Sequence, residues 1–197
     1  MPRAVERKES RETGLTVAEY FRLIDAGEID SSARVELWDG RIVDKMSKNP
    51  PHQATLTKLM RLLFRLVPEG WFPTQESPVS IGGNKAPEPD AMILRGDLND
   101  FSQRPPTGKD VALVVEVAES SLRRDLGAKK DAYAAEGIPY YWVVNLVERR
   151  VEVHSEPKTQ GKHAKYDKVD FFHADDAVPV VLDGVEVGRI IVGEILP

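Results

Sequence analysis

Apolar residues recur with helical spacing in two early segments of the chain. The longer segment opens at Pro50, and its apolar positions follow i, i+3, i+4 and i+7, so they share one helical face. These positions are Leu56, Leu59, Met60, Leu63 and Val67. The shorter segment begins at Thr16, a residue type that caps helices, has Glu19 three positions on, and ends at Gly27. The sequence therefore predicts two helices in its first third.

Runs of apolar residues bounded by turn residues predict strands. Asp39-Gly40, a pair typical of tight turns, separates strands 34–38 and 41–43 of a hairpin. Further strands are expected at 71–80, 90–94, 111–118, 140–145 and 150–154, and a helix is expected at 122–136. Short β elements, with a turn at Asp183-Gly184, follow. Interleaved strands and helices predict an α/β fold with a mixed central β-sheet flanked by helices, and extra β hairpins at the N- and C-terminal ends.

Length and composition indicate one domain, expected to span residues 15–197, because 197 residues suffice for one substantial core and are few for two. Residues 1–14 are polar and charged, so we expect a flexible N-terminal segment. No stretch approaches the roughly 18 apolar residues that span a membrane, and the N-terminus lacks the apolar run of a signal peptide. The chain is therefore expected in the cytoplasm, with no membrane partner.

Charge and cysteine content narrow the classes of function. The chain has no cysteine, which excludes disulfides and cysteine-ligated zinc or iron sites. Its net charge of −5 argues against a protein that coats nucleic acid, since such proteins are usually basic. An enzyme with a local basic groove stays compatible with that charge. A stripe of Lys58, Arg61 and Arg65 on the second helix is either a solvated surface or a phosphate-contacting one.

A carboxylate interrupts the most apolar strand of the chain. The run from Val111 to Ala118 is continuous enough to predict a strand covered on both faces, yet it contains Glu116. Because strand residues alternate between faces, Glu116 shares its face with small residues, including Ala112, and so has room around it. Burial of a lone carboxylate is costly unless it is paired or bound to a metal. A partner must therefore lie opposite Glu116.

The following helix offers a partner. At about 100° per residue, Leu122, Leu126 and Tyr133 form one stripe, and Lys129 falls in the middle of it. Lys130 falls beside the stripe. The periodicity therefore directs Lys129 toward the sheet, where Glu116 is the nearest carboxylate by chain connectivity.

A second carboxylate, Asp90, begins the strand at 90–94, directly after a proline. If that strand neighbours the one with Glu116, the two acids lie about 4.8 Å apart and could share a divalent cation. Oxygen ligands of this kind suit Mg²⁺ or Mn²⁺. The alternative is a structural ion pair of Glu116 with Lys129, in which Asp90 takes no part.

The combined motifs resemble the Uma-type endonuclease family of the PD-(D/E)XK restriction-endonuclease-like superfamily. The resemblance spans roughly Thr16 to the C-terminus, and its spacing is more specific than any single motif. It rests on Glu36-Leu37-Trp38-Asp39-Gly40, His52, Pro89-Asp90, Val114 to Ser121, Asp125 to Lys129, Tyr133 and Gly137 to Val144.

The resemblance implies a restriction-endonuclease-like fold with Asp90 and Glu116 as metal ligands. In the superfamily the lysine usually lies two residues after the acid, where this chain has Ala118, whereas the Uma-type pattern moves it to the next helix, which matches Lys129. Two departures leave open a change either in the residues around the metal ligands or in a partner surface. The family often has Glu-Tyr-Trp where this chain has Tyr140-Tyr141-Trp142, and often ends that strand in Asp where this chain has Asn145.

We therefore expect a metal-dependent endonuclease that hydrolyses phosphodiester bonds in nucleic acid, with DNA as the expected substrate. Mg²⁺ or Mn²⁺ would be held by Asp90, Glu116 and the backbone carbonyl of Val117, and Lys129 would orient the attacking water or offset charge on the phosphate. The alternative is a nuclease fold kept as a non-catalytic binding or assembly module, which the net charge, Tyr140 and Asn145 favour. A homodimer is compatible with either function.

Three further residues are candidates for supporting roles. Glu36 either completes the outer shell of the metal or is an exposed, solvated acid. Asp125, one turn before Lys129, is expected to be its salt-bridge partner rather than a catalytic group. His52 is expected to pack or cap near the start of the second helix rather than act as a base. The aromatic residues Tyr133, Tyr141 and Trp142 are expected in the core, and His154, His163 and His173 lack metal-ligand spacing.

Overall fold

The computed structural model describes residues 14–30, 32–45, 48–160 and 163–197. The expected flexible segment therefore lies, apart from Gly14, outside the described residues. The strands are β1 (Val35–Trp38), β2 (Arg41–Asp44), β3 (Trp71–Gln75), β4 (Ala91–Arg95), β5 (Val111–Ala118), β6 (Tyr140–Asn145), β7 (Arg150–Gln160), β8 (His163–His173), β9 (Ala177–Leu182) and β10 (Val185–Ile191). The helices are α1 (Val17–Asp25), α2 (Pro50–Leu66), α3 (Leu122–Arg124), α4 (Lys130–Ala135) and α5 (Val192–Ile195).

Six strands form one mixed sheet in the order β3-β4-β5-β6-β7-β8. The pair β5–β6 is parallel and the other neighbouring pairs are antiparallel. The parallel pair needs a crossover, which the helical segment 122–135 provides. Two separate hairpins, β1–β2 and β9–β10, lie toward the two ends of the chain. The predicted fold class, a mixed central sheet flanked by helices with extra hairpins at both ends, is confirmed.

The two faces of the sheet are covered differently. On one face, α2 packs the predicted stripe of Leu56, Leu59 and Leu63 against alternate residues of β5, and the β9–β10 hairpin completes this core. On the other face, α4 packs Tyr133 and Ala134 against the remaining side chains of the sheet. Every residue of β5 is buried, as its apolar run predicts for a strand covered on both sides. The carboxylate of Glu116 belongs to the face that α4 covers.

The early elements follow their local signals closely. Thr16 and Glu19 form the predicted capping box of α1, and Asn49 caps α2 ahead of its two prolines. Asp39 and Gly40 both have positive φ angles, 49° and 72°, as a tight hairpin turn requires. The β1–β2 hairpin docks on the segment before β4, where the amide of Ala86 donates to the carbonyl of Leu37 at 2.9 Å.

The prediction of one continuous helix over 122–136 is wrong, because the segment is divided into α3, a kinked turn and α4. After α3, the segment Asp125–Lys129 is kinked at Gly127, which leaves helical geometry with φ −112° and ψ −108°. The strand expected at 71–80 is also shorter, because Glu76 adopts a left-handed backbone conformation with φ 50° directly after β3. Strands β7 and β8 are longer than expected, and the short α5 was not predicted. No helix in the described ranges is long and apolar enough to cross a membrane.

Candidate active site

A pocket opens beyond the carboxyl end of β5, between the β1–β2 hairpin, the start of α2 and the α3–α4 segment. All three residues predicted for the site, Asp90, Glu116 and Lys129, line it, together with Val117. The pocket is also lined by Glu36, Lys45, Lys48, Asn49, His52, Glu88, Glu119, Ser120, Ser121, Arg124 and Asp125. The structure therefore brings the whole predicted constellation to one place.

Asp90 lies one residue before β4, at the point where the β4–β5 ladder ends. The last pair of that ladder, Ala91 with Val115, places Asp90 beside Glu116 on the neighbouring strand, as expected. The amide of Val117, which lies past the end of the ladder, donates instead to Asp90 Oδ2 at 2.7 Å. The side chain of Asp90 thus caps a strand whose backbone partner has ended, and this fixes the carboxylate at the pocket floor.

Two cationic or polar side chains complete the surroundings of Asp90. Nε2 of His52 lies 3.0 Å from Oδ2, and Nζ of Lys48 lies 2.8 Å from Oδ1. Burial raises the pKa of Asp90, but the hydrogen bond and charge of His52 and the charge of Lys48 outweigh it and hold the pKa at about 2. Asp90 is therefore an ionised carboxylate across the physiological range.

Glu116 is 3% exposed and faces the α3–α4 segment. Its Oε1 accepts hydrogen bonds from Nζ of Lys129 at 2.8 Å and from the hydroxyl of Tyr133 at 3.0 Å. Burial raises the pKa of Glu116, the ammonium of Lys129 opposes that rise, and the nearby carboxylates of Asp125 and Asp90 add to it. Glu116 is therefore paired directly with one cation and is also repelled by its acidic neighbours.

Lys129 follows the kink at Gly127, and its ammonium contacts Glu116. Nζ of Lys129 also lies 3.7 Å from Oδ1 of Asp125, so the predicted i, i+4 ion pair is confirmed. Burial lowers the pKa of Lys129, but the carboxylates of Glu116 and Asp125 raise it by more than burial lowers it, so the ammonium stays charged.

Glu36 is 1% exposed, so the interpretation of it as a solvated hairpin acid is wrong. The docking of the β1–β2 hairpin turns its carboxylate into the pocket, where it accepts from the guanidinium of Arg124 and, at 3.4 Å, from the amide of Glu88. Arg124 lies in turn over the ring of Trp38, at 5.2 Å from its centroid. Glu36 is therefore part of the pocket wall, held by one cation and one backbone amide.

His52 and Asp125 also take positions at the site. The amide of His52 donates to Oδ1 of Asn49, so the residue lies in the capped first turn of α2 as expected, and its ring reaches Asp90. Asp125 is buried, and its Oδ1 has no hydrogen-bond partner among the described residues. Burial raises its pKa. Both residues therefore adjoin the two central carboxylates.

Sequence reasoning missed three residues of the site. Lys48 and Arg124 lie in a connection and in the turn of α3, where exposed cations are common and carry no periodic signal. Tyr133 was predicted as core, which its burial confirms, but its hydroxyl also donates to Glu116. A buried tyrosine needs a hydrogen-bond partner, and its place on the stripe with Lys129 was the signal that could have identified one.

The acidic side chains of the pocket outnumber its permanent cations. Among the lining residues six are Asp or Glu and four are Lys or Arg. No group of three or more Asp, Glu, His or Cys side chains in the described ranges is arranged to enclose a metal ion by itself. The basic stripe of α2 lies elsewhere, where Lys58, Arg61 and Arg65 line a separate shallow concavity with Leu62 and Glu194.

Comparisons with known proteins agree with this architecture. In the solved structures, a "putative nuclease belonging to DUF820" from Anabaena variabilis superposes with a TM-score of 0.68 at 14% sequence identity, covering 92% of this chain and 97% of that one. At that identity the likeness shows the fold. No curated protein matches the sequence. The profile of the Uma2 family, described as "Putative restriction endonuclease", matches residues 17–188, and the chain belongs to that family.

Proposed function

We propose that this protein hydrolyses phosphodiester bonds in nucleic acid, with DNA as the expected substrate and a divalent cation held by Asp90 and Glu116. One observation carries the proposal: two buried carboxylates from adjacent strands meet at the floor of one pocket, with the ammonium of Lys129 on one of them. Membership of a family of restriction-endonuclease type supports a nuclease and a nucleic-acid partner.

The donor chemistry of the pocket fits a hard divalent ion. Its acidic residues outnumber its lysines and arginines, and their mutual repulsion contributes to the raised pKa of Glu116. Oδ1 of Asp125 is buried without a hydrogen-bond partner among the described residues, and it lies 3.7 Å from the ammonium of Lys129. Mg²⁺ is commonly bound through one or two carboxylates and keeps several waters, so it does not require the three-residue enclosure that the described part of the chain lacks. Mn²⁺ accepts the same oxygen ligands.

Each residue then has a distinct task. Asp90 and Glu116 would hold the ion, with the backbone carbonyl of Val117 as a third oxygen. A divalent ion bound there would supply a Lewis acid that lowers the pKa of water and offsets negative charge on the phosphate. Lys129, fixed by Glu116 and Asp125, would donate a hydrogen bond to that water or to a phosphoryl oxygen.

The surrounding residues would position this centre. The ring of His52 and the amide of Val117 orient Asp90 through its Oδ2. Tyr133 orients Glu116, and Asp125 keeps Lys129 over the pocket. Glu36, held by Arg124, lies in the pocket wall, where it would accept from waters around the ion. Rigid support of this kind is what a catalytic constellation requires.

The test is nicking of supercoiled plasmid and cleavage of single-stranded DNA with Mg²⁺ or Mn²⁺. Wild-type protein should cut, and Asp90→Asn and Lys129→Met should each lose activity by about 100-fold or more. Lys130→Met is the matched control, because it removes a neighbouring lysine that does not line the pocket. Equal activity in the wild type and in Lys129→Met would refute the proposed role of the site.

A second candidate, a non-catalytic binding or assembly module of nuclease fold, is favoured by the internal pairing of the site. Asp90, Glu116 and Glu36 all have cationic partners within the chain itself. Such a network can hold a fold together without chemistry. Titration calorimetry separates the two functions: a module would show no affinity for Mg²⁺ or Mn²⁺ and would bind nucleic acid or a second copy without cleavage.

A further inference from the structure

Lys48 lies between two carboxylates at the mouth of the pocket. Its Nζ is 2.8 Å from Oδ1 of Asp90 and 2.5 Å from Oε1 of Glu76, and its side chain is 13% exposed. Burial lowers the pKa of Lys48, but the carboxylates of Asp90 and Glu76 outweigh it and raise the pKa. Lys48 therefore places a positive charge of the chain itself at this end of the site.

The two oxygens of Asp90 have different partners. Oδ2 accepts from the amide of Val117 and lies against Nε2 of His52, and both contacts hold the carboxylate to the fold. Oδ1 faces Lys48. An ion that binds Asp90 without dismantling its support must therefore approach Oδ1, where the ammonium of Lys48 lies.

The second carboxylate gives Lys48 a place to move to. Glu76 follows β3 at the outer edge of the site, and its side chain is 40% exposed. A lysine side chain is a flexible four-carbon stem, so Nζ can leave Oδ1 while it keeps its contact with Glu76. By contrast, Lys129 is held by Glu116, and Asp125 lies beside it deeper in the pocket.

We propose that Lys48 is a displaceable counter-ion of the site: its ammonium occupies the position at Asp90 Oδ1 that a divalent ion takes, and it withdraws onto Glu76 when the ion binds. This inference rests on the proposed function, since it requires an ion at Asp90. Lys48 and the ion compete because both are cations and both need the same oxygen. In the free protein Lys48 offsets part of the negative charge of the pocket, and its presence lowers the affinity for the ion.

The test measures Mn²⁺ affinity of the full chain by titration calorimetry, which needs no activity. Lys48→Met keeps most of the side-chain volume and should bind Mn²⁺ roughly tenfold more tightly, the size of effect that one close opposite charge has on a carboxylate. Lys48→Arg retains the charge and should bind like the wild type. Lys45→Met is the matched control: Lys45 lines the same pocket but pairs with Glu88, and its loss should change the affinity less than about threefold.

The outcomes separate this inference from the proposed function. If wild-type protein binds Mn²⁺, Asp90→Asn abolishes binding, and Lys48→Met binds no more tightly than the wild type, the counter-ion role is overturned and the metal site stands. If neither the wild type nor Lys48→Met binds Mn²⁺, both proposals fail. Thermal unfolding without metal shows which variants are folded, and Lys48→Gln replaces Lys48→Met should the latter unfold.

Discussion

Two buried glutamates, Glu116 on β5 and Glu152 on β7, lie on the same face of the central sheet. Each is directly opposite Val143 of the strand between them, so they are separated by two strand spacings, roughly 10 Å. They are 3% and 4% exposed, and each contacts a cation, Lys129 at 2.8 Å or Arg150 at 3.1 Å. By burial and ion pairing alone the two acids are equivalent.

Their surroundings separate them. Glu116 lines a pocket and has two further buried carboxylates, Asp90 and Asp125, close enough to raise its pKa. Glu152 does not line that pocket. Its Oε1 accepts hydrogen bonds from the guanidinium of Arg150 and, at 2.9 Å, from the side-chain amide of Asn145. A buried acid that is fully neutralised suits a structural role, whereas a cluster of acids at a pocket retains negative charge for a ligand.

Activity should show the largest difference between the two acids. Glu116→Gln is expected to lower kcat/KM for plasmid nicking by about 100- to 1,000-fold, because it removes one of the two proposed ion ligands. Glu152→Gln keeps the shape of the side chain outside the pocket and should stay within about threefold of the wild type. Comparable losses in both variants would show that the charge of the sheet face, rather than the pocket, governs activity.

Stability should show the next largest difference, when each acid loses its cation. Lys129→Met leaves Glu116 buried among carboxylates, and the expected loss is about 3 kcal/mol near neutral pH. Arg150→Met should cost about 1 kcal/mol, because Asn145 still donates to Glu152 and the arginine is partly exposed. Urea unfolding monitored by circular dichroism measures both values.

The loss in Lys129→Met should depend on pH in a defined direction. The pKa of Glu116 in the folded state lies above the ordinary value of 4.5, so the folded state binds the proton more readily than the unfolded chain. The variant should therefore be most stable below about pH 4.5 and lose stability as pH rises through the folded-state pKa. A penalty that grows as the solution becomes more acidic would contradict the buried-acid assignment.

The contrast between the two acids also shows which buried residues a local sequence pattern can predict. Glu116 could be found from the sequence because it interrupts an apolar strand, and Lys129 because helical periodicity points it inward. The sequence around Glu152 predicts exposure instead of burial. Arg150, Glu152 and His154 alternate with valines, a pattern typical of a strand with one solvent-exposed face. Packing of α4 over β7 and β8 buries that face, and such coverage is a tertiary event that alternation does not encode.

The rest of the site depended on contacts between distant segments. Glu36 reaches the pocket because its hairpin docks on a segment 49 residues away in sequence, through the contact of Leu37 with Ala86. Lys48 meets Asp90 through a connection without periodicity. The departure at Asn145 gains a physical meaning only in the fold, since an aspartate there would face Glu152 instead of donating to it. Local patterns therefore predicted Glu116 and Lys129, the prediction of Asp90 rested most on the family resemblance, and tertiary docking supplied the residues around them.

Metal binding should distinguish the acids of the pocket, here Asp90, from Glu152 by thermal stability. A saturating divalent ion, at about 100 times its dissociation constant, stabilises a protein by about 2.7 kcal/mol, which for this size raises Tm by roughly 5–10 °C. Glu152→Gln should keep the full shift with Mn²⁺, whereas Asp90→Asn should abolish it. Scanning calorimetry with and without Mn²⁺ measures both, and a chelator should reverse the shift. A shift retained in Asp90→Asn would place the ion elsewhere.

The smallest expected effect reports the charge of Glu152 through its neighbour His154. Burial lowers the pKa of His154 to about 4, Lys130 adds to this, and the carboxylate of Glu152, 4.0 Å away, opposes it. The ordinary value is 6.5, so the unfolded chain takes up the proton first as pH falls. This stability is complete above about pH 6.5 and is lost toward about pH 4, by roughly 2 kcal/mol. His154→Gln should flatten that part of the stability profile.

In an NMR titration the pKa of His154 should rise in Arg150→Met. A wild-type value above 6.5 would show that Glu152 carries uncompensated charge, so that the two acids do not differ as described.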